Sequence, residues 1–256
     1  MMSSWLVLGA VLLLALAALA RILAIIQDQM RWDTLAIGSR AAAAVAVGVA
    51  LVLSILAGGD GSPLSLGPLS LGLALAISLT HLALIWRLAA DGASPVADLL
   101  ALSVLLGGWV SGSDAPALTC LQQVLPFYVQ WALFLVGVGA ALVSGSAGLL
   151  LYLHAFLTRG DRASRLPPAR DLHSYLGHAS ALALVALGSG LALGVWWAWR
   201  AMGSLYGGEP REIWMASASL ISAASLLSWQ TGRRSGLGAA GLSVVAAIIG
   251  LVGLLV

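Results

Sequence analysis

Four histidines are the side chains of this sequence best suited to bind a metal. His81 lies near the middle of an apolar segment, AISLTHLALIW, where an ionisable residue is costly and indicates a function by default. Two roles are open for it: a ligand of haem iron or pigment magnesium, or a hydrogen-bond partner of a neighbouring helix. His154, His173 and His178 flank one connection between apolar segments, so they either form a two-histidine metal site or face solvent and lipid headgroups.

A second group of chemically capable residues lies at 196–214, in WWAWRAMGSLYGGEPREIW. Aromatic, charged, Gly and Pro residues crowd there between two long apolar runs, as expected where a membrane protein meets a ligand or a partner. Pro210 predicts a helix start with Glu212 in the first turn. Arg200 or Arg211 could also pair with an acidic group of a ligand through a bidentate contact.

Patterns typical of enzymes are missing from the sequence. It has no nucleophile–base arrangement, HExxH motif, Gly-rich phosphate loop or pair of buried carboxylates. Its one cysteine, Cys120, excludes an internal disulfide and a CxxCH haem attachment site. Asp98 is interpreted as a residue near a helix N-cap. We therefore expect no catalytic residues, and the formal net charge of +2 does not indicate nucleic-acid binding.

The elements that position these residues are apolar helices. Hydrophobic residues make up 61% of the chain and charged residues 9%, against about 25% charged in soluble domains. Apolar runs long enough to cross a membrane recur throughout. The prediction is an all-α, polytopic integral membrane protein forming a single transmembrane domain, 1–256, with the first span retained. About eight spans are expected, at 5–27, 37–57, 68–90, 96–112, 125–157, 173–201, 212–231 and 236–256.

The distribution of arginines predicts the orientation, because cytoplasmic loops carry an excess of basic residues. With eight spans, one side holds Arg31, Arg40, Arg87, Arg159, Arg162, Arg165, Arg170, Arg233 and Arg234. The other side holds Arg200 and Arg211. The first side is therefore expected to be cytoplasmic, with Trp32 in its first loop and both termini on the opposite side. A bacterial cytoplasmic or thylakoid-type membrane fits this pattern.

Residues 196–214 resemble the tryptophan-rich motif of the cytochrome c assembly family, the CcsA/ResC/CcmC type of haem-handling membrane proteins. The family pattern is roughly Trp-Ala…Trp-Gly-x-Tyr-Trp-x-Trp-Asp-Pro-Lys-Glu-x-Trp. The matching positions here are Trp197-Ala198, Gly203 and Glu209-Pro210-Arg211-Glu212-x-Trp214. The resemblance covers about 70–256, and the length suits the short, HemX-like members.

This resemblance implies a site for haem b, with His81 as a ligand, aromatic residues against the macrocycle and an arginine at the propionates. The implied contact residues are Trp197, Trp199, Tyr206, Trp214, Arg200 and Arg211. Family members hold haem with histidines that flank the motif. At the first of these positions this chain has Gln130, and at the second it has Leu227 or Gln230.

Two functions follow from the resemblance. The first is haem binding and presentation for the maturation of c-type cytochromes, with other membrane subunits and apocytochrome c as partners. The alternative is a family member without its ligands, acting as a structural or accessory subunit of a respiratory or photosynthetic membrane complex. A transporter is a third hypothesis, which only the intramembrane His81 suggests.

Overall fold

A computed structural model describes residues 2–27, 30–56, 66–88, 94–110, 125–158, 168–205, 210–231 and 236–255. These residues form eight α-helices, which confirms the all-α class. The helices are α1 (Met2–Gln27), α2 (Met30–Leu56), α3 (Leu66–Leu88), α4 (Ser94–Val110), α5 (Leu125–Thr158), α6 (Ala169–Met202), α7 (Pro210–Thr231) and α8 (Leu237–Leu255). Each helix coincides with one of the predicted spans, and most ends agree to within a few residues.

The helices identify a multi-pass membrane protein. Among the described residues, six helices are long and apolar enough to cross a membrane: α1, α2, α3, α5, α6 and α8. Of the other two, α4 has only 17 residues and α7 carries five serines. The expected eight spans and the side on which the termini lie stay predictions.

The start of α2 differs from its prediction. The helix begins at Met30 rather than near residue 37, so Trp32 lies in α2 and not in a loop. Asp33 lies in the first turn of α2, where the helix dipole favours an acid. Asp33 also accepts a hydrogen bond from Arg21 of α1. The charged Asp33 is therefore compatible with a helix here, because the helix dipole and the Arg21 side chain both stabilise its carboxylate.

The described helices belong to two compact units. Unit 1 comprises Met1–Ala117 and Ser164–Pro167, and unit 2 comprises Leu118–Ala163 and Pro168–Val256. Within each unit, consecutive helices contact each other and the last helix also contacts the first. Unit 1 is thus a four-helix arrangement of α1–α4, and unit 2 is one of α5–α8. The expected single transmembrane domain over residues 1–256 stays a prediction.

Small residues bring the helices of unit 2 close together. A Cβ added at Gly137 would lie 2.6 Å from Cγ of Leu187, and one at Gly148 would lie 2.7 Å from the carbonyl oxygen of Ala240. These glycines lie in α5, and the atoms they approach belong to α6 and α8. In lipid, where apolar side chains gain little from leaving their solvent, such close backbone approach is a main source of helix association.

Serine hydroxyls bond across the interior of unit 2. The Oγ atoms of Ser144 and Ser180 share a hydrogen bond of 2.7 Å between α5 and α6. Ser225 Oγ of α7 donates to the carbonyl oxygen of Ala239 in α8 at 2.9 Å, and Ser243 Oγ of α8 lies 3.3 Å from the carbonyl oxygen of Ser144. These hydroxyls link all four helices of the unit.

Candidate functional site

Most of the described residues of the tryptophan-rich motif lie on two helices, α6 and α7. α6 continues to Met202, so Trp197, Trp199 and Arg200 occupy its last turns, within the predicted span 173–201. The helix ends at Gly203, whose φ of 66° is the left-handed conformation that glycine adopts readily, and whose N–H donates to the carbonyl oxygen of Trp199 at 3.0 Å. Tyr206 lies outside the described residues.

The start of α7 follows the sequence prediction. Pro210 is the first residue of the helix, and Glu212 lies in its first turn. The end of unit 2 formed by the start of α5, the end of α6 and the start of α7 is named the motif end. The opposite end of the unit, which carries three histidines, is named the histidine end.

Arg211 is positioned at the motif end by Trp131. The guanidinium carbon of Arg211 lies 4.7 Å from the centroid of the Trp131 ring, which is a cation–π contact. Trp131 is buried and makes edge contacts with Phe127 and Phe134 of the same helix, with ring centroids 6.0 and 6.4 Å away. Sequence reasoning missed Trp131, although the aromatic cluster FYVQWALF at the start of α5 was a signal for it.

Gln130 is buried at the same end, in α5. Its Nε2 would lie 2.2 Å from a Cβ added at Gly194 of α6, so the amide fills the space that this glycine leaves. The second flanking position does not meet it. Leu227 lies 16 residues beyond Arg211 on α7, about 24 Å along the helix, and Gln230 is farther still. The two positions taken for the family's flanking histidines are therefore at opposite ends of unit 2.

Several motif residues are exposed. Trp199 is 58% exposed and Trp214 is 37% exposed, Arg200 is exposed, and Trp197 is half-buried. Broad indole faces and guanidinium groups can contact a flat aromatic ligand and its carboxylates. Iron ligation is a different requirement, since the four histidines of the sequence all lie outside residues 125–131 and 196–214. The motif end therefore fits contact with a macrocycle but does not fit axial ligation of its iron.

Two histidines at the histidine end pack on one tryptophan. The ring centroids of His173 and His178 lie 6.0 and 6.2 Å from that of Trp229, whose Nε1–H donates to the carbonyl oxygen of His173 at 2.8 Å. His154 lies near the end of α5, half-buried. The described residues contain no group of three or more His, Cys, Asp and Glu side chains able to hold a metal ion. A two-histidine site stays a prediction.

The buried ionisable residues of unit 1 form a separate cluster. Nε of Arg40 donates to Oδ1 of Asp98 at 2.6 Å, and Nη2 donates to Oδ2. The two side chains are 1% and 3% exposed, and His81 is wholly buried. Arg40 therefore lies between helices and does not count as a loop arginine. Asp98 is its partner, a role that the N-cap interpretation missed.

Each helix of unit 1 contributes to this cluster. Arg21 of α1, Arg40 of α2, His81 of α3 and Asp98 of α4 lie about 6 to 15 Å from the ends Gln27, Met30, Leu88 and Ser94 of their helices. His81 and Asp98 both lie within electrostatic range of Arg40 and Arg21. We name these four residues the charged layer. His81 thus belongs to unit 1, whereas the other predicted site residues belong to unit 2.

These features define a multi-pass, all-α membrane protein with polar groups enclosed between its helices. No family model and no curated protein matches the chain. Among solved structures, Cytochrome c Heme Lyase CcmF is similar to it over 97% of its residues, with a TM-score of 0.67 and 18% identity. The chain spans about half the length of that protein, 46% of which is covered. The likeness shows that the chain shares the fold of the matched part of that protein.

Proposed function

We propose that the chain is a membrane component of a cytochrome c assembly system, in which it binds and presents haem for the maturation of c-type cytochromes. The observation that carries this proposal is the similarity of its fold to Cytochrome c Heme Lyase CcmF over 97% of the chain. The proposal includes further membrane subunits as partners, with apocytochrome c as the recipient.

The motif end is the proposed contact surface for the macrocycle. Trp199 and Trp214 expose indole faces there, and Arg211 is held by its contact with Trp131. A guanidinium that contacts the face of a ring through its central carbon can still bind a carboxylate in a bidentate manner through its N–H groups. Arg200 and Arg211 are therefore the proposed partners of the propionates, and Trp197 and Tyr206 belong to the same proposal.

His81 is the proposed ligand for a haem b. An imidazole nitrogen is the ordinary protein donor to haem iron, whereas the glutamine that replaces the first flanking histidine is a poor one. This part of the proposal concerns unit 1 alone and is separate from the contact surface proposed at the motif end. When bound, the haem would supply one-electron redox chemistry.

A visible spectrum and a pyridine haemochrome assay on the mildly solubilised protein test this function. We expect a haem b signal in the wild type that is lost in His81→Ala and retained in Thr80→Val. Thr80 is the buried neighbour of His81 on the same helix, so Thr80→Val is the matched control. A wild type without haem, purified with its partner subunits, would refute the haem-binding part of the proposal.

The alternative function is that of a structural or accessory subunit of a respiratory or photosynthetic membrane complex. The specific observation in its favour is that groups suited to hold a ligand in unit 2 are used in packing. Gln130 fills the space beside Gly194, and the rings of His173 and His178 lie against Trp229. This alternative predicts co-purification with redox or pigment subunits in a fixed ratio, whereas an assembly component associates with its client only transiently.

A further inference from the structure

The Arg40–Asp98 pair crosses the centre of unit 1. In this unit α1 contacts α2 and α4, and α3 also contacts α2 and α4, so α2 and α4 lie diagonally opposite each other. Arg40 belongs to α2 and Asp98 to α4, and their two hydrogen bonds span that diagonal. The pair therefore connects helices that are not consecutive in the chain and are not principal neighbours.

The hydropathy of these helices contains little information about how the helices should be rotated. The buried apolar residues of unit 1 are mostly alanine and the exposed ones are mostly leucine, valine and isoleucine, so the two sides differ in side-chain size but both are apolar. A helix that is hydrophobic all round has no apolar stripe to specify its buried face. Lipid tails are as apolar as leucine, so burying one side of such a helix instead of another changes the free energy little.

A bidentate contact between a guanidinium and a carboxylate is restrictive. It needs two parallel N–H···O bonds in one plane, which fixes the distance between the two groups and their mutual orientation. In unit 1 this condition is met with both side chains enclosed, so a rotation of either helix would separate the charges inside an apolar interior. Such a rotation is unfavourable, because it would break both hydrogen bonds of the pair and separate two opposite charges among apolar side chains.

We infer that the Arg40–Asp98 pair is a clamp that selects the arrangement of unit 1, setting the rotation of α2 and α4 and thereby enclosing His81 between them. The main contribution of the clamp is to specificity. Apolar packing brings the four helices together, and the pair decides which faces turn inward. His81 of α3 and Arg21 of α1 lie in the same layer, so the faces that α2 and α4 turn inward form part of the surroundings of both side chains.

Distances between spin labels on α2 and α4 of the full chain test this inference. In a Cys120→Ser background, labels at Val45→Cys and Leu106→Cys replace side chains that are 66% and 37% exposed. We expect one narrow distance in this background. The double substitution Arg40→Met with Asp98→Leu removes both charges at similar volume, and we expect it to give a broad or split distribution while the helices persist. Arg40→Lys keeps the positive charge but cannot make the bidentate contact, and we expect a distance distribution of intermediate width.

A matched control is Ser103→Ala on α4, whose hydroxyl donates to the carbonyl oxygen of Leu99 in its own helix at 2.7 Å. It should leave the distance unchanged. A single narrow distance in the apolar double variant, equal to that of the labelled background, would overturn the inference. If that variant does not fold, Arg40→Lys decides: a broadened distribution supports the clamp, and an unchanged one refutes it.

Discussion

The two units have the same helix arrangement but different polar groups in their interiors. Each is a four-helix arrangement with the same order of neighbours. In unit 1 the interior contains an ion pair, a buried histidine and a second arginine, contributed by all four helices. In unit 2 the interior contains serine hydroxyls and glycines placed against neighbouring helices.

The two units show two ways of distributing polar interactions in the interior of a membrane protein. A buried ion pair concentrates a large interaction at one place, and the loss of either partner leaves an uncompensated charge. Hydroxyl bonds and close glycine contacts are individually weak, but they recur along every interface of unit 2. Single substitutions at a few positions should therefore strongly lower the stability of unit 1. In unit 2, substitutions at many positions should each lower the stability by a smaller amount.

The largest effect is expected from breaking the ion pair on one side. Arg40→Ala leaves the Asp98 carboxylate buried, and we expect a loss of about 3–5 kcal/mol in the free energy of unfolding. Denaturant titration of the purified protein in detergent measures it. A loss below about 1 kcal/mol would show that unit 1 does not depend on its charged layer.

A smaller effect is expected from filling a close contact in unit 2. A Cβ at Gly148 would lie 2.7 Å from a backbone oxygen and 3.2 Å from the Cα of Ala240, so α5 and α8 must separate. We expect Gly148→Ala to destabilise the protein by about 1–3 kcal/mol. Gly188→Ala is the control: it has no atom within 4 Å of the added Cβ and should be neutral or slightly stabilising. Equal thermal stabilities of the two variants would contradict close packing at α5–α8.

Removing one hydroxyl bond should matter less. Ser225→Ala abolishes the bond from α7 to the carbonyl oxygen of Ala239, and double-mutant cycles in membrane proteins put such bonds at about 0.6 kcal/mol on average. Ser217→Ala provides the comparison. The Ser217 hydroxyl is exposed and donates to the carbonyl oxygen of Ile213, in its own helix, at 2.8 Å. Hydrogen exchange of α7 and α8 measures the difference in stability between the two variants. An effect of Ser225→Ala as large as that of Arg40→Ala would contradict the expectation that single polar contacts matter less in unit 2 than in unit 1.

An effect of similar size is expected at the motif end. Arg211→Ala removes the cation–π contact with Trp131, which is worth about 0.5–1 kcal/mol where it is accessible to solvent. We expect little change in stability and a change in tryptophan fluorescence. If haem is bound there through its propionates, the same variant should weaken haem binding much more than it weakens the fold, and parallel losses would argue against that contact.

Much of the fold could be predicted from local patterns. Apolar runs located all eight helices, and Pro210 with Glu212 correctly marked the start of α7. These features depend on residues adjacent in sequence, where hydrophobicity and capping act directly. The predictions were wrong where the structure of a segment depends on contacts with residues far away in sequence. Trp32 was predicted to lie in a loop, but it belongs to a helix whose Asp33 is paired with Arg21 of the preceding helix.

The candidate site was predicted only in part. The intramembrane position of His81 was visible in the sequence, because a histidine within an apolar run stands out. Arg40 and Asp98 lie 58 residues apart, near the starts of the predicted spans 37–57 and 96–112, where each has an ordinary explanation as a loop or cap residue. Trp131 likewise resembled any interfacial aromatic residue until Arg211 was found above its ring.

By itself, the sequence determined that this is an all-α membrane protein, where its helices lie, and which motif it carries. These are properties of composition and short-range order. Only the tertiary structure decided that Arg40 and Asp98 are partners, that Gln130 fills the space beside Gly194, and that two histidines pack on one tryptophan. The physical reason is that helices surrounded by lipid are apolar on every side. The inward face of each helix is therefore specified by contacts with residues far away in sequence.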